Sequence, residues 1–334
     1  MKETPADPAL LARRERQGGS DQRSERPVGG STKAGPPIGR SRLRKLGVAL
    51  LFLLPGLVVF FTFVLGPMAY SLRISFFDWN IIHPETSEWV GFANYTRALN
   101  DPKFGRAVAN TLAYTAITVP AQIVLGTGIA ILLNKAIRGR VLYRVLYYLP
   151  VVTPWVIVAL LFKFLFIGQG GLVNHVLRNV LGVIDQDVLW LADPILIFAP
   201  IITLGIWKGL GWTAVIVLAG LQTIPVELEE VAKVDGATAW NRFRYITVPL
   251  LRPTLVFLLV VLVVGGLNAY VSNLLITDGG QPFGETHFVL TLMYQETFDR
   301  LDFGYGASIS YLLTALVFVI SVVQLRLLRR KVDL

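Results

Sequence analysis

Hydrophobic residues occupy 54% of the 334 positions and charged residues only 16%, a mixture that excludes an ordinary soluble globular domain. The net charge is +9, but the cations sit in short stretches flanking apolar runs rather than on one soluble face with interleaved aromatics, which excludes a nucleic-acid binder. With no cysteine, the chain can build neither disulfides nor thiolate catalytic or metal sites.

Residues 1–40 are rich in Pro, Gly, Ser and Arg and have no apolar period, so they read as a disordered, basic cytoplasmic tail. A membrane-surface role would draw on about 1 kcal/mol per basic residue near anionic lipid. No cleaved signal peptide is expected, because the first apolar stretch starts deep in the chain and has the length of a span. Residues 41–334 read as one all-α integral membrane domain. Crossing the hydrocarbon takes about 20 apolar residues as helix, since no water is there to satisfy backbone groups. Six segments meet that length, at about 47–70, 107–133, 146–167, 195–221, 250–276 and 305–328.

Cations fix the orientation. Arg40, Arg42, Arg44 and Lys45 precede the first span, and Lys135, Arg138, Arg140 and Arg144 fill the second connection. Lys233, Arg242, Arg244 and Arg252 lie in the fourth, and Arg326, Arg329, Arg330 and Lys331 close the chain. These regions are expected inside, both termini included. The other connections carry acids instead (Asp78, Glu85 and Glu88; Asp185, Asp187 and Asp193; Asp278, Glu285, Glu296, Asp299 and Asp302) and are expected outside. His83, His175 and His287 all fall in outward connections without ligand spacing and read as solvated loop residues, so no metal site is expected.

A polar segment at about 223–253 separates the fourth and fifth spans. Pro225 suits a first helical turn, and Glu227, Glu229 and Glu230 complement the positive end of the helix dipole. Leu228, Val231 and Ala232 share a face, Asp235-Gly236 supplies a left-handed turn, and Ala239, Trp240 and Phe243 make a second apolar stripe. The pattern predicts a short helix, a glycine bend and another short helix. Periodicity alone fits equally an amphipathic hairpin lying on headgroups.

The run Glu230-Val231-Ala232, then Asp235-Gly236-Ala237, with Phe243, Ile246-Thr247, Pro249 and Pro253, resembles the EAA motif of permease subunits of binding-protein-dependent ABC importers, with Val231 in place of the usual Ala. More narrowly it is similar to the carbohydrate branch that includes the maltose and glycerol-3-phosphate permeases. Further likeness lies in Gly171-Leu172-Val173-Asn174, Trp190-Leu191-Ala192-Asp193-Pro194, Trp207-Lys208-Gly209, Thr277-Asp278-Gly279-Gly280 and Phe303-Gly304-Tyr305-Gly306-Ala307. The resemblance covers about 47–328, although Gln281 separates the glycine pair from Pro282 and no outward loop carries a large insertion.

The resemblance implies a MetI-like, six-helix fold with a cytoplasmic coupling elbow, in the inner membrane of a prokaryote. It also implies partners: a second permease forming a heterodimer, two ATP-binding cassette ATPase subunits, an extracytoplasmic substrate-binding protein and membrane lipid. On that reading Glu230, Val231, Ala232, Asp235, Gly236 and Ala237 dock the ATPase. The chain has no phosphate-binding loop and no acid/base constellation, so no catalytic residue is expected, and ATP and Mg2+ belong to the partners.

Trp207, Lys208, Gly209 and Trp212 on the fourth span, with Gly265, Gly266 and Asn268 on the fifth, are the candidate solute pathway. A cation in mid-span costs at least about 2.5–3.5 kcal/mol, so Lys208 must face a wet cavity or a partner. Tryptophan faces stack on sugars and an amide both donates to and accepts from hydroxyls. The tryptophans serve equally well as packing or interface anchors, and the glycine pair as a close contact to a second permease. A sugar or sugar-derived solute is the expected cargo. The alternatives are a non-sugar solute such as a polyol phosphate or polyamine, or a standalone channel or secondary transporter.

Overall fold

A computed structural model describes residues 38–135 and 139–329. Nearly all of the segment expected to be a disordered tail therefore lies outside the described residues, as do Arg138, Arg330 and Lys331. The chain divides into a first unit ending at Phe61, which holds α1 (Ile38–Phe60), and a second running from Thr62, which holds the rest.

In the second unit α2 (Gly66–Ile74) leads to a short antiparallel hairpin of β1 (Phe77–Asp78) and β2 (Glu88–Trp89), with Phe77 opposite Trp89. After α3 (Ala93–Asn100), the long α4 (Pro102–Asn134) starts where the Asp101 carboxylate accepts from the Lys103 amide at 2.8 Å and Pro102 needs no partner. Thr111, Thr115 and Thr118 turn their hydroxyls back onto carbonyls of α4's own preceding turn. That satisfies each polar group before it is buried between helices.

The third apolar segment is not the single span expected at 146–167. It breaks into α5 (Arg140–Val152) and α6 (Trp155–Leu165), inclined at 96° to each other. Pro154 has no N–H to continue the ladder and its ring pushes Thr153 out of the helical region, to ψ 139°. Beyond α7 (Leu172–His175), the long α8 (Phe198–Leu221) reaches the elbow, built of α9 (Val226–Val234) and α10 (Ala239–Arg242). Here too an expectation is corrected: the second elbow helix is not separate. It passes through a π turn, Phe243–Thr247, directly into α11 (Val248–Leu267). The remaining α-helices are α12 (Val271–Ile276), α13 (Val289–Tyr294) and α14 (Phe303–Arg329). Among the described residues five helices are long and apolar enough to cross a membrane, or six if the bent pair counts as one span.

α4 is the axis around which three apolar clusters form. At one end Phe104 and Ala107 meet Leu292, Tyr305 and Ile309 of α13 and α14. In the middle Tyr114 meets Phe162, Ile201, Leu204 and Phe288. At the other end Ala130 and Leu133 meet Val217, Leu221 and Leu258 of α8 and α11. We refer to the first as the loop end and to the last as the elbow end.

The loop end is closed by asparagine amides. Asn174 donates to the carbonyls of Gly168 (2.6 Å) and Val188 (2.9 Å) and accepts from the Trp190 indole (2.9 Å). Asn273, fully buried, donates to Thr286 O at 2.9 Å and accepts from Phe288 N at 3.1 Å. Next to it lies the residue that departs most from the sequence reading. His287 is not a solvated loop histidine but 3% exposed, its ring against Gly280 and its Nδ1 without a hydrogen-bond partner. Burial, with smaller contributions from the charges of Lys103 and Arg300, pushes its pKa down to about 4. His83 and His175 are exposed as expected.

Candidate functional site: a central cavity and an exposed elbow

Between α4, α8, α11 and the turn entering α12 lies a cavity of about 610 Å³. It brings together six of the seven pathway candidates: Lys208, Gly209, Trp212, Gly265, Gly266 and Asn268. Trp207 is not among them. It turns aside to pack against Phe162, ring centroids 5.7 Å apart, and so takes the packing role open to a span tryptophan.

Each wall residue is held by something specific. Lys208, 5% exposed, does not extend a free charge into the space: its ammonium donates to Pro150 O at 2.7 Å and Thr153 O at 2.6 Å. Those are carbonyls at the C-terminal end of α5, which have no intrahelical partner and carry the negative end of the helix dipole. The ammonium also lies 4.8 Å from the centre of the Trp155 ring, the first residue of α6. One lysine thus clamps both sides of the break, and this answers the cost of a cation at mid-span.

Gly209 is a notch. A Cβ there would overlap the Gln122 amide, whose Nε2 donates to Gly205 O at 3.0 Å, so Gln122 reaches across the α4–α8 seam only because Gly209 is bare. Gly266 meets Thr115 of α4 in the same way, so it serves a contact inside this chain, whereas Gly265 faces open space. Asn268, exposed, terminates α11 and donates to Val264 O at 2.8 Å, which leaves its amide oxygen accessible to the cavity. Gln122, Tyr114, Thr118, Trp155, Tyr270 and Ser272 complete the polar and aromatic part of the lining. The sequence reading missed these six. The pair Pro150 and Pro154, four apart inside an apolar run, was the available signal for Trp155, because it marks the break that turns that ring inward.

The elbow is opposite in character. α9 begins at Val226, with Pro225 one position earlier than a first-turn proline, and none of its residues is buried. Gly236 stands at φ +77°, as the turn requires, with nothing within 4 Å of a notional Cβ. Its amide donates to Lys233 O and that of Ala237 to Ala232 O at 2.9 Å. Thr238 caps α10 by accepting from Asn241 N at 3.2 Å, and Arg242 reaches back to Ala237 O at 2.6 Å. Both helices are therefore aimed by local bonds. Their outer faces stay uncovered: Glu230 and Asp235 are exposed, as are Val231, Val234 and Trp240, while Ala232 and Ala237 are half-buried.

Residues 122–333 match the family described as binding-protein-dependent transport system inner membrane component. The chain is 34% identical to the sulfoquinovosyl glycerol transport system permease protein SmoG of Agrobacterium fabrum, over 85% of this chain and 91% of that protein. It is 32% identical to the trehalose/maltose transport system permease protein MalF of Thermococcus litoralis, over 87% and 97%. In structure it is similar to a chain of a bacterial ABC transporter involved in the import of the acidic polysaccharide alginate, with a TM-score of 0.72 at 24% identity, covering 88% of this chain and 99% of that one. A bacterial alginate ABC transporter in complex with an alginate pentasaccharide-bound periplasmic protein gives 0.73 at 25%, over 88% and 98%.

Proposed function

The chain belongs to the binding-protein-dependent transport system inner membrane component family, and from that membership we propose that it forms half of the path by which an ABC importer brings in a sugar or a sugar-derived solute. Membership sets aside a standalone channel or secondary transporter. The observation that carries the choice of cargo is the chemistry of the cavity. Its lining offers tryptophan faces and amide and hydroxyl groups, but among the described residues no carboxylate, and its one cation is engaged by two carbonyls. A phosphate-bearing polyol would find no free positive charge there and a polyamine no negative one, whereas a neutral, hydroxyl-rich ring finds stacking surfaces and hydrogen-bond partners. The name of MalF supports a neutral sugar, and that of SmoG, whose sulfoquinovosyl glycerol carries a sulfonate, supports a sugar-derived solute.

In this reading a second permease completes the path as a heterodimer. Two ATPase subunits, holding ATP and Mg2+, receive Glu230, Val231, Ala232, Asp235, Gly236 and Ala237 at the elbow end. An extracytoplasmic binding protein delivers the solute at the loop end, and both termini are cytoplasmic, in agreement with the distribution of Lys and Arg. Uptake of radiolabelled mono- and disaccharides into membranes carrying the complete complex tests the reading. ATP-driven accumulation of a neutral sugar is expected. Accumulation of a polyamine or a polyol phosphate with no sugar would overturn it.

A further inference from the structure

At the elbow end a second recess, of about 490 Å³, runs along α5 and α8 and is separate from the central cavity. Its walls are aliphatic: Leu133, Leu149, Val152, Val215 and Leu218. Leu149, Val152 and Val215 are exposed, with no covering element among the described residues. At its head stands Arg144, whose Nε and Nη2 are buried yet make no hydrogen bond. Two guanidinium donors withdrawn from water and left unpaired are costly, and a rotation of the side chain toward the recess that Arg144 lines would bring them side by side onto a phosphate or carboxylate with two parallel bonds.

We propose that this recess binds an anionic membrane phospholipid, with its phosphodiester on Arg144 and an acyl chain along Leu149, Val152, Val215 and Leu218. Three observations select lipid over a soluble anion. The walls offer a long apolar surface that phosphate alone would not use. Tyr147 and Tyr148 line the recess with Arg144, as aromatic side chains do at headgroup depth. In the sequence Lys135, Arg138 and Arg140 come just before it, adding the field that draws anionic headgroups to that side of the bilayer.

Native mass spectrometry of the full chain, purified with its partner subunits, tests the site with phosphatidylglycerol and phosphatidylcholine as probes. The wild type should retain phosphatidylglycerol about five-fold better than phosphatidylcholine, whose choline cation offsets the phosphodiester charge that Arg144 engages, the factor that about 1 kcal/mol per basic residue gives. Arg144→Gln should abolish that preference, Arg144→Lys should keep part of it, and Val215→Trp, which fills the recess without touching the charge, should displace the lipid. Equal retention of the two lipids by the wild type, or an unchanged preference in Arg144→Gln, overturns the proposal. So does a photo-crosslinker at Val215 that captures a partner subunit instead of lipid, because the recess would then be a protein interface.

Discussion

The loop end and the elbow differ in where their polar groups find partners. At the loop end most are satisfied within the chain, His287 Nδ1 and Thr291 Oγ1 being exceptions. Asn174 and Asn273 spend their amides on backbone, Arg97 pairs with Asp302 at 2.7 Å, and Tyr305 donates to Asp101 at 2.8 Å across 204 positions of sequence. At the elbow the bonds are local and serve only to aim two helices whose outer faces stay bare. A surface closed by its own side chains holds its shape alone. One closed only at its turns holds an orientation and leaves the contact to something else.

The largest effect should come from opening the closed end. Asn273→Leu leaves the Thr286 carbonyl and the Phe288 amide without partners in a buried place, at about 1–3 kcal/mol each, and thermal unfolding of the complex should report the loss. If unfolding does not change, the contrast between the ends is false.

Gly236→Val should behave in the opposite way. A left-handed position costs a β-branched residue about 1–2 kcal/mol of local strain, and no neighbour is displaced. Uptake should collapse and ATPase activity uncouple while thermal stability changes little, and Gly236→Asn, which tolerates that backbone, should recover much of the uptake. Normal uptake by Gly236→Val would show that the aim of the elbow does not matter.

Asn268→Ala lies between the two regions. Its amide bonds only within its own helix, to the Val264 carbonyl, so stability should be near wild type, while uptake falls and preference among sugars shifts. Loss of assembly with unchanged preference would assign the residue to packing.

The last effect is absent at neutral pH and emerges only in acid. His287 is held neutral well below its usual range, so between pH 6.5 and about 4 the unfolded chain takes up a proton that the folded chain refuses. Stability should therefore fall as pH drops through that window and be unaffected above it, and His287→Phe should flatten the slope in a pH series of unfolding curves.

Five of the six span positions, the first elbow helix and the left-handed glycine were legible in the sequence, because each depends on a short-range rule: apolar length, helical period, or the one residue without a Cβ. The cavity was half legible. Lys208 and Asn268 stood out as polar groups where polar groups are expensive, and both line it. What Lys208 does there was not legible, since its partners are carbonyls exposed by a helix break 55 and 58 positions away. Gly209 was chosen for the space it leaves, but Gln122, which occupies that space, belongs to another helix. The burial of His287 also depends on the chain folded over it, and Gly280 and Asn110 lie at sequence distances that local patterning does not reach.

The passage of α10 through the π turn into α11 has a mechanical consequence. From Ala239 to Leu267 the chain is helical without a break, about 40 Å at 1.5 Å per residue, and Asn268 caps its far end. Trp240 and the cavity wall at Gly265, Gly266 and Asn268 are thus two ends of one lever. Its widest turn is at Phe243–Thr247, where an extra residue sets the rotational phase between the ends, and Pro249 and Pro253 each remove a further backbone donor just beyond it. A push on the exposed end is felt at the cavity as tilt and twist of a rod, and deleting a single residue in that turn would rotate one end against the other by about 100°.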